Sequence, residues 1–199
     1  MKLAFKRALA AIMLVLSFAA PAAAAPFEDA IAAYDKGDYA TALQLLRPLA
    51  DRELPMAQHN LGVMYENGLG VTQNYAEAVK WYRKAADQGF ASAQLNLGFM
   101  YENGLGITQN DAEAVKWYRK ASDQGNAIAQ SNLGFMYENG LGVPQDYVSA
   151  HMWLNLSAAQ GNQAAAEDRD KVARLMTPAQ LAKAQKLARE WKPTTPSPR

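Results

Sequence analysis

The sequence predicts an all-α fold, a right-handed α-solenoid built from antiparallel helix pairs. A segment of 36 residues occurs three times in succession, over residues 57–92, 93–128 and 129–164, and the first two copies differ at only seven positions. Each copy holds two runs of apolar residues at helical spacing, separated by a glycine-rich stretch. A repeat of this length is typical of units that bury their apolar faces only by stacking on their neighbours.

The first helix of each unit, here called helix A, is short and amphipathic. In the first copy its apolar residues are Ala57, Leu61, Met64 and Tyr65. The helix is expected to end within residues 66–70, where two glycines permit backbone angles that other residues avoid. A further glycine lies inside every helix A, at Gly62, Gly98 and Gly134, although it costs ~1 kcal/mol relative to alanine. The repetition of this cost predicts that the backbone of the second helix passes close by.

The second helix, helix B, has start and stop signals in every copy. Asn74 stands at a cap position and Glu77 follows three residues later, which predicts a capping box. The later copies have Asn110 with Glu113 and Asp146 with Ser149. Helix B should end at a glycine in every copy, and these glycines are Gly89, Gly125 and Gly161. Each helix B also carries a tryptophan at the edge of its apolar face, and we interpret Trp81, Trp117 and Trp153 as core wedges between successive pairs.

A set of small and aromatic residues recurs in every copy and carries a family resemblance. In the first copy the set is Ala57, Leu61, Gly62, Tyr65, Gly68, Gly70, Val71, Ala78, Trp81, Ala85, Ala86 and Gly89. With its counterparts 36 and 72 residues further on, it resembles the Sel-one-like (Sel1-like) repeat family, a relative of the tetratricopeptide repeats. Departures are small, because asparagine caps a helix as well as the usual aspartate does. The resemblance, over roughly residues 27–164, implies an α-solenoid that binds other proteins, with no catalytic residues and no cofactor.

The ends of the chain are predicted to differ from the repeats. Residues 1–24 combine a basic start with an apolar run and small residues, the pattern of a cleaved secretory signal peptide. Residues 27–56 form an abbreviated first repeat, in which Pro48 should kink helix B or end it early. A charged helix over residues 163–176 and a second helix capped at Thr177 form a C-terminal capping pair, the domain here assigned to residues 165–192. Residues 193–199 are proline-rich and are expected to form a disordered tail.

Composition and motifs argue against several classes of function. Without the three basic residues of the signal peptide the chain has 17 basic and 19 acidic residues, so no charge excess favours nucleic acid or anionic lipid. There is no cysteine, and His59 and His151 lie on different helices without metal-type spacing to a carboxylate. We therefore expect a periplasmic or secreted protein that is a monomer, has no metal or cofactor and is not inserted in the membrane after cleavage.

Positions that differ between copies are the better guide to partner binding. The pairs His59 and Val63, Leu95 and Phe99, and Ser131 and Phe135 occupy the same two places on helix A, opposite its core face. We expect them to line a concave groove whose apolar side chains anchor a partner segment. The alternative for Phe99 and Phe135 is that they pack against helix A of the next unit. Two further rows of candidate groove residues are Glu66, Glu102 and Glu138, expected to be water-exposed, and Asn60, Asn96 and Asn132. The asparagines are expected either to hold a partner's backbone or to satisfy neighbouring carbonyls.

Two functions follow from these observations. The first is a non-catalytic adaptor or regulator that is exported and binds a protein or peptide in the groove. The second is an accessory protein that binds or hydrolyses the cell wall, for which exposed tryptophans would have to stack on sugar rings. No general acid–base pair is identifiable in the sequence, which favours the first.

Overall fold

The computed structural model describes residues 21–194, and this part of the chain contains ten α-helices and no strand. The helices are α1 (Pro21–Asp35), α2 (Tyr39–Asp51), α3 (Pro55–Asn67), α4 (Tyr75–Asp87), α5 (Ala91–Asn103), α6 (Asp111–Asp123), α7 (Ala127–Asn139), α8 (Tyr147–Ala159), α9 (Gln163–Ala173) and α10 (Pro178–Glu190). The predicted helical solenoid is confirmed. Of the predicted signal peptide, residues 1–20 lie outside the described residues.

Consecutive helices pack as hairpins, and the hairpins stack in chain order. The pairs α3–α4, α5–α6 and α7–α8 pack most extensively, and each helix B also packs on the helix A that follows it. The tryptophans contribute to this stacking: Trp117 on α6 belongs to the same buried cluster as Val79 and Tyr82 on α4. The core is therefore continuous along the array, as expected for units that cannot bury their faces alone.

Two details of the helix signals differ from the predictions. Asn74 does cap α4, because its side chain accepts a hydrogen bond from the backbone N–H of Glu77. The reciprocal half of the capping box is absent, since the Glu77 carboxylate instead pairs with Lys80 at 2.5 Å. In the first two repeats the glycine inside helix A faces a side chain rather than backbone: a Cβ added at Gly98 would lie 2.7 Å from the ring of Tyr118. In the third repeat a Cβ added at Gly134 would lie 2.7 Å from the side chain of Leu154 and 3.2 Å from the carbonyl oxygen of Ala150, so here the backbone of helix B does pass close by.

A row of buried glutamines, which the sequence analysis overlooked, links the units. Gln94 on α5 is 4 % exposed and donates to the carbonyl of Ala86 at the end of α4, at 3.1 Å. Its own carbonyl oxygen accepts from Gln124, the residue after α6, at 2.7 Å. The same two bonds recur around Gln58 and Gln130. Each glutamine therefore joins helix A to the helices B before and after it, which fixes the register of neighbouring units.

Both ends of the array depart from the sequence predictions. Pro48 does not end α2 early, since this helix continues to Asp51. Helix α9 ends at Ala173, three residues before the predicted end. The capping helices do not form a hairpin, because α9 and α10 both pack on α8 and make at most marginal contact with each other. Thr194, assigned to a disordered tail, donates from its backbone N–H to the carbonyl of Asp123 at 2.7 Å, and residues 195–199 of this tail lie outside the described part.

Candidate binding surface

The candidate surface is the side of α3, α5 and α7 that is turned away from the core, here called the A-helix face. On the opposite side of these helices the residues typified by Leu61, Leu97 and Leu133 are fully buried. The A-helix face consists of His59, Val63 and Glu66 on α3, Leu95, Phe99 and Glu102 on α5, and Ser131, Phe135 and Glu138 on α7. The intervals of three and four residues place each set on one side of its helix.

Large apolar side chains are exposed on the second and third repeats of this face. Phe99 is 38 % exposed and Phe135 is 46 % exposed, while Leu95 is half-buried against the cluster that contains Tyr118. Ile128, which is 55 % exposed, extends the strip on α7 by one further turn. The sequence analysis did not select Ile128, although it is one of the seven positions at which the first two copies differ. Phe99, Ile128 and Phe135 together form an apolar strip that a partner segment could cover.

The first repeat does not present the same surface. Val63 is only 8 % exposed and belongs to the core cluster of Tyr82 and Leu97. His59 is half-buried between the rings of Tyr82 and Phe90, whose centroids lie 5.7 Å and 5.3 Å from its own. Burial lowers the pKa of His59 to about 4, so the ring is neutral at pH 7. The prediction that His59 and Val63 line an open groove is therefore wrong, because Phe90 and Tyr82 fill the space beside them.

Two of the three asparagines are buried or have an internal partner. Asn60 is 8 % exposed. Asn96 lies with its Nδ2 atom 3.3 Å from Nε2 of His59. Burial raises the pKa of Tyr82 and of Tyr118, and the nearby side chains of Asn96 and Asn132 act in the opposite direction. The alternative of internal satisfaction therefore describes Asn96, whose partner is a side chain rather than the expected carbonyl.

The glutamates of the A-helix face are not a row of freely hydrated carboxylates. Glu66 and Glu102 each accept a hydrogen bond from a buried tyrosine hydroxyl, that of Tyr82 and of Tyr118 respectively. Burial raises the pKa of Glu66, although the tyrosine bond acts in the opposite direction. Leu154 replaces the tyrosine in the third repeat, so Glu138 has no such donor. The pKa of Glu138 is raised by burial and by the nearby Asp168.

Charge is distributed unequally between the two helices of a unit. Helices α3, α5 and α7 contain no lysine or arginine, and each carries one glutamate. Helices α4 and α6 carry all the lysines and arginines of their hairpins, and several of these contact aromatic rings, as Lys120 does above Trp117 at 3.9 Å. The A-helix face is therefore apolar with negative charge, which disfavours an acidic partner.

The surface offers little for catalysis or for sugar stacking. Trp117 and Trp153 are 8 % and 3 % exposed, and Trp81 is half-buried, so they do not form an open aromatic platform. Between residues 21 and 194 no group of histidine and carboxylate side chains has the geometry to hold a metal ion.

None of the helices in that part of the chain is both long and apolar enough to span a bilayer.

The stack of near-identical hairpins, with exposed apolar residues confined to one helix face of its repeats, defines an α-solenoid of short helical repeats. The family model that matches the chain is the Sel1 repeat, over residues 55–90, 91–126 and 127–162. The chain therefore belongs to the Sel1 repeat family, as its resemblance implied. The matched units begin two residues before the repeats defined above, at the point where α3, α5 and α7 start.

The solved structures that are similar to this chain include two bacterial repeat proteins. The crystal structure of a Sel1 repeat protein from Oxalobacter formigenes is 40 % identical, with a TM-score of 0.69, and the match covers 72 % of this chain and 59 % of that protein. The crystal structure of c5321, a protective antigen present in uropathogenic Escherichia coli strains and displaying an SLR fold, is 34 % identical, with a TM-score of 0.78. That match covers 85 % of this chain and 37 % of the antigen. This chain thus spans little more than half of one relative and just over a third of the other.

No protein of curated function matches this chain. Sel1 repeats generally mediate protein–protein interactions on a non-catalytic scaffold. Family membership gives this general role, and it does not identify the partner.

Proposed function

We propose that this protein is an exported, monomeric adaptor or regulator that binds an extended or helical segment of another protein along a concave groove formed by its A helices. The observation that carries the proposal is the exposure of Phe99 and Phe135 on the A-helix face, together with that of Ile128 two helical turns before Phe135 on α7. Aromatic and branched side chains that remain on a surface are the usual anchors of protein interfaces.

The charge of this face supports a partner segment of a particular composition. Its charged groups are Glu66, Glu102 and Glu138, and α3, α5 and α7 lack basic residues. A segment with apolar anchors flanked by lysine or arginine would match both features, because opposite charges favour encounter and disfavour wrong partners. Because the first repeat is closed by Phe90 and Tyr82, the segment would bind across the second and third repeats.

The groove is tested by crosslinking in the living cell. A photoreactive residue placed at position 99 or 135 should trap one major protein, and mass spectrometry identifies it. With that partner purified, Phe99→Glu combined with Phe135→Glu should weaken binding roughly a hundredfold, since two apolar anchors are lost. A matched control is Leu175→Glu combined with Leu187→Glu, because these leucines are 60 % and 37 % exposed but lie at the C-terminal end. Equal affinity for the two double variants would refute the groove.

Export is tested separately from binding. The signal-peptide pattern predicts that the mature protein begins at Ala25 and accumulates in the periplasm or outside the cell. Intact mass and N-terminal sequencing of the native protein, after cell fractionation, measure both. A full-length protein recovered from the cytoplasm would contradict the proposed location and would leave the groove test unaffected.

A further inference from the structure

The C-terminal end of the array contains a cavity that is open to solvent, because Gln185 and Arg189 in its lining are exposed. Helices α9 and α10 both pack on α8 but hardly on each other, so a space of about 430 Å³ remains among the three. Six polar residues line it: His151, Asn155, Arg169, Asp170, Gln185 and Arg189. A volume of this size accommodates a small organic molecule.

His151 is the buried polar group of this cavity. It is 4 % exposed, and its Nδ1 atom is buried without a hydrogen-bond partner among the described residues. Burial, followed by the charge of Arg169, lowers the pKa of His151, whereas Asp170 raises it. The ring is therefore neutral at pH 7 and adds no charge to the cavity. A buried nitrogen without a partner costs folding free energy, and a bound water, ion or ligand is one explanation for such a group.

The two guanidinium groups differ in how they are engaged. Arg169 donates twice to Oδ1 of Asp170, at 2.9 Å and 2.7 Å, and once to Oδ1 of Asn155 at 3.4 Å. Arg189, on α10, has no ion-pair partner within residues 21–194. With His151 neutral, two arginines and one aspartate leave a single uncompensated positive charge in the lining. That charge matches a monoanion.

We propose that this cavity binds a carboxylate monoanion that carries a short apolar chain. Arg189 presents the planar fork that pairs with both oxygens of a carboxylate, and the amide of Gln185 lies one helical turn before it on α10. Leu181 and Ala173 supply an apolar wall for the chain. A phosphate dianion would leave an excess negative charge in the cavity, so the carboxylate is the better match. Such a group occurs both in free organic acids and at the C-terminus of a peptide.

The experiment is a titration of the mature protein, followed by NMR. The probes are isovalerate, the peptide acetyl-Ala-Ala-Leu with a free C-terminus, the same peptide amidated, and inorganic phosphate. At least one of the two carboxylates should shift the side-chain signals of His151 and Arg189 in a saturable way, with a dissociation constant of millimolar order. A carboxylate beside His151 should also raise the pKa of this ring. Binding of isovalerate alone identifies a free acid as the ligand, whereas tighter binding of the peptide identifies a C-terminus.

The matched pair of variants is Arg189→Gln and Lys186→Gln. Both remove one exposed positive charge from α10, but Lys186 pairs with Glu190 at 3.8 Å and does not line the cavity. Arg189→Gln should weaken carboxylate binding at least tenfold, and Lys186→Gln should not change it. The proposal is overturned if no carboxylate binds, if phosphate or the amidated peptide binds as well as the free carboxylate, or if the two variants behave alike. The outcome is independent of the A-helix face, because Phe99→Glu with Phe135→Glu leaves the cavity intact.

Discussion

The first and third repeats have the same backbone fold, but the A-helix face is covered in the first repeat and open in the third. In the first repeat, His59 stacks between Tyr82 and Phe90, Val63 is buried and Glu66 accepts a bond from Tyr82. In the third repeat the equivalent positions hold Ser131, Phe135, Glu138 and Leu154, with Asn162 in place of Phe90. The third surface is open as a result, with Phe135 46 % exposed. Exchanges at a few positions therefore decide which repeats can bind a partner, while the shared residues maintain the stack.

The largest expected effect comes from replacing Tyr82 with leucine, which is the residue at the equivalent position of the third repeat, Leu154. Tyr82→Leu removes a fully buried ring that packs against Gly62 and His59, and it also removes the donor to Glu66. We expect a loss of about 3 kcal/mol in the free energy of unfolding, measured by urea denaturation. Tyr82→Phe keeps the ring and should lose only about 1 kcal/mol. If the two variants are equally stable, ring packing does not distinguish the repeats.

A second prediction concerns the acid sensitivity of the first repeat. The folded pKa of His59 is about 4 against an ordinary value of 6.5, so between these values the unfolded chain binds one more proton. The contribution of the neutral ring is complete above about pH 6.5 and is lost as the pH falls towards 4. For the wild type we expect the free energy of unfolding to fall by an amount on the order of 2 kcal/mol between pH 7 and pH 4. This is less than the limit of about 3 kcal/mol set by the pKa difference, because the ring is partly exposed.

His59→Leu, which copies Leu95 of the second repeat, should abolish this loss. The raised pKa of Glu66 acts with the opposite sign and is present in both proteins, so the difference between their urea midpoints at pH 4 and pH 7 isolates the histidine. Parallel pH profiles for the two proteins would contradict the burial of His59.

A reciprocal exchange at the next position of the A-helix face should have unequal effects. Val63→Phe inserts a ring into a packed cluster and should destabilise the protein by about 1.5 kcal/mol. Phe135→Val changes a side chain that is 46 % exposed and should alter stability by no more than about 0.5 kcal/mol. Urea denaturation compares the two variants, and equal losses would show that the two positions are equally packed.

The smallest effect is expected when the aromatic cover of His59 is removed. Phe90→Asn copies the residue of the later repeats and lets water reach the imidazole. The pKa of His59 should then rise towards its ordinary value, because burial is what lowers it. An NMR titration of the ring measures this change, and Phe90→Leu serves as the control that keeps an apolar cover. An unchanged pKa in Phe90→Asn would assign the burial to Tyr82 alone.

The fold was predictable because the signals for it are local and repeated. The period, the caps such as Asn74 and the glycines after each helix A depend only on spacing along the chain. The arrangement of α9 and α10 was not predictable in the same way, because both helices have proper caps and only tertiary packing determines that they meet α8 rather than each other.

The candidate surface was predictable only in part. A helical wheel places position 63 opposite the apolar face of α3 itself, but Val63 is buried in a cluster with residues of α4, its partner in the hairpin, and of α5 in the next unit. The wheel contains no information about such contacts between elements. Phe99 and Phe135 are exposed in agreement with the wheel, since no residue equivalent to Phe90 covers them. The buried glutamines were missed because a polar residue suggests solvent, although their presence in all three copies was a usable signal.

The glutamine bonds also restrict how the length of this protein can change. Ala86 and Ser122 offer their carbonyls to Gln94 and Gln130 in the same way. If residues 91–126 were excised, Gln130 would therefore meet the carbonyl of Ala86 as it now meets that of Ser122. We expect an excision that is not a whole number of 36-residue units to leave these amides buried without an acceptor. The array can therefore be lengthened or shortened only by whole 36-residue units.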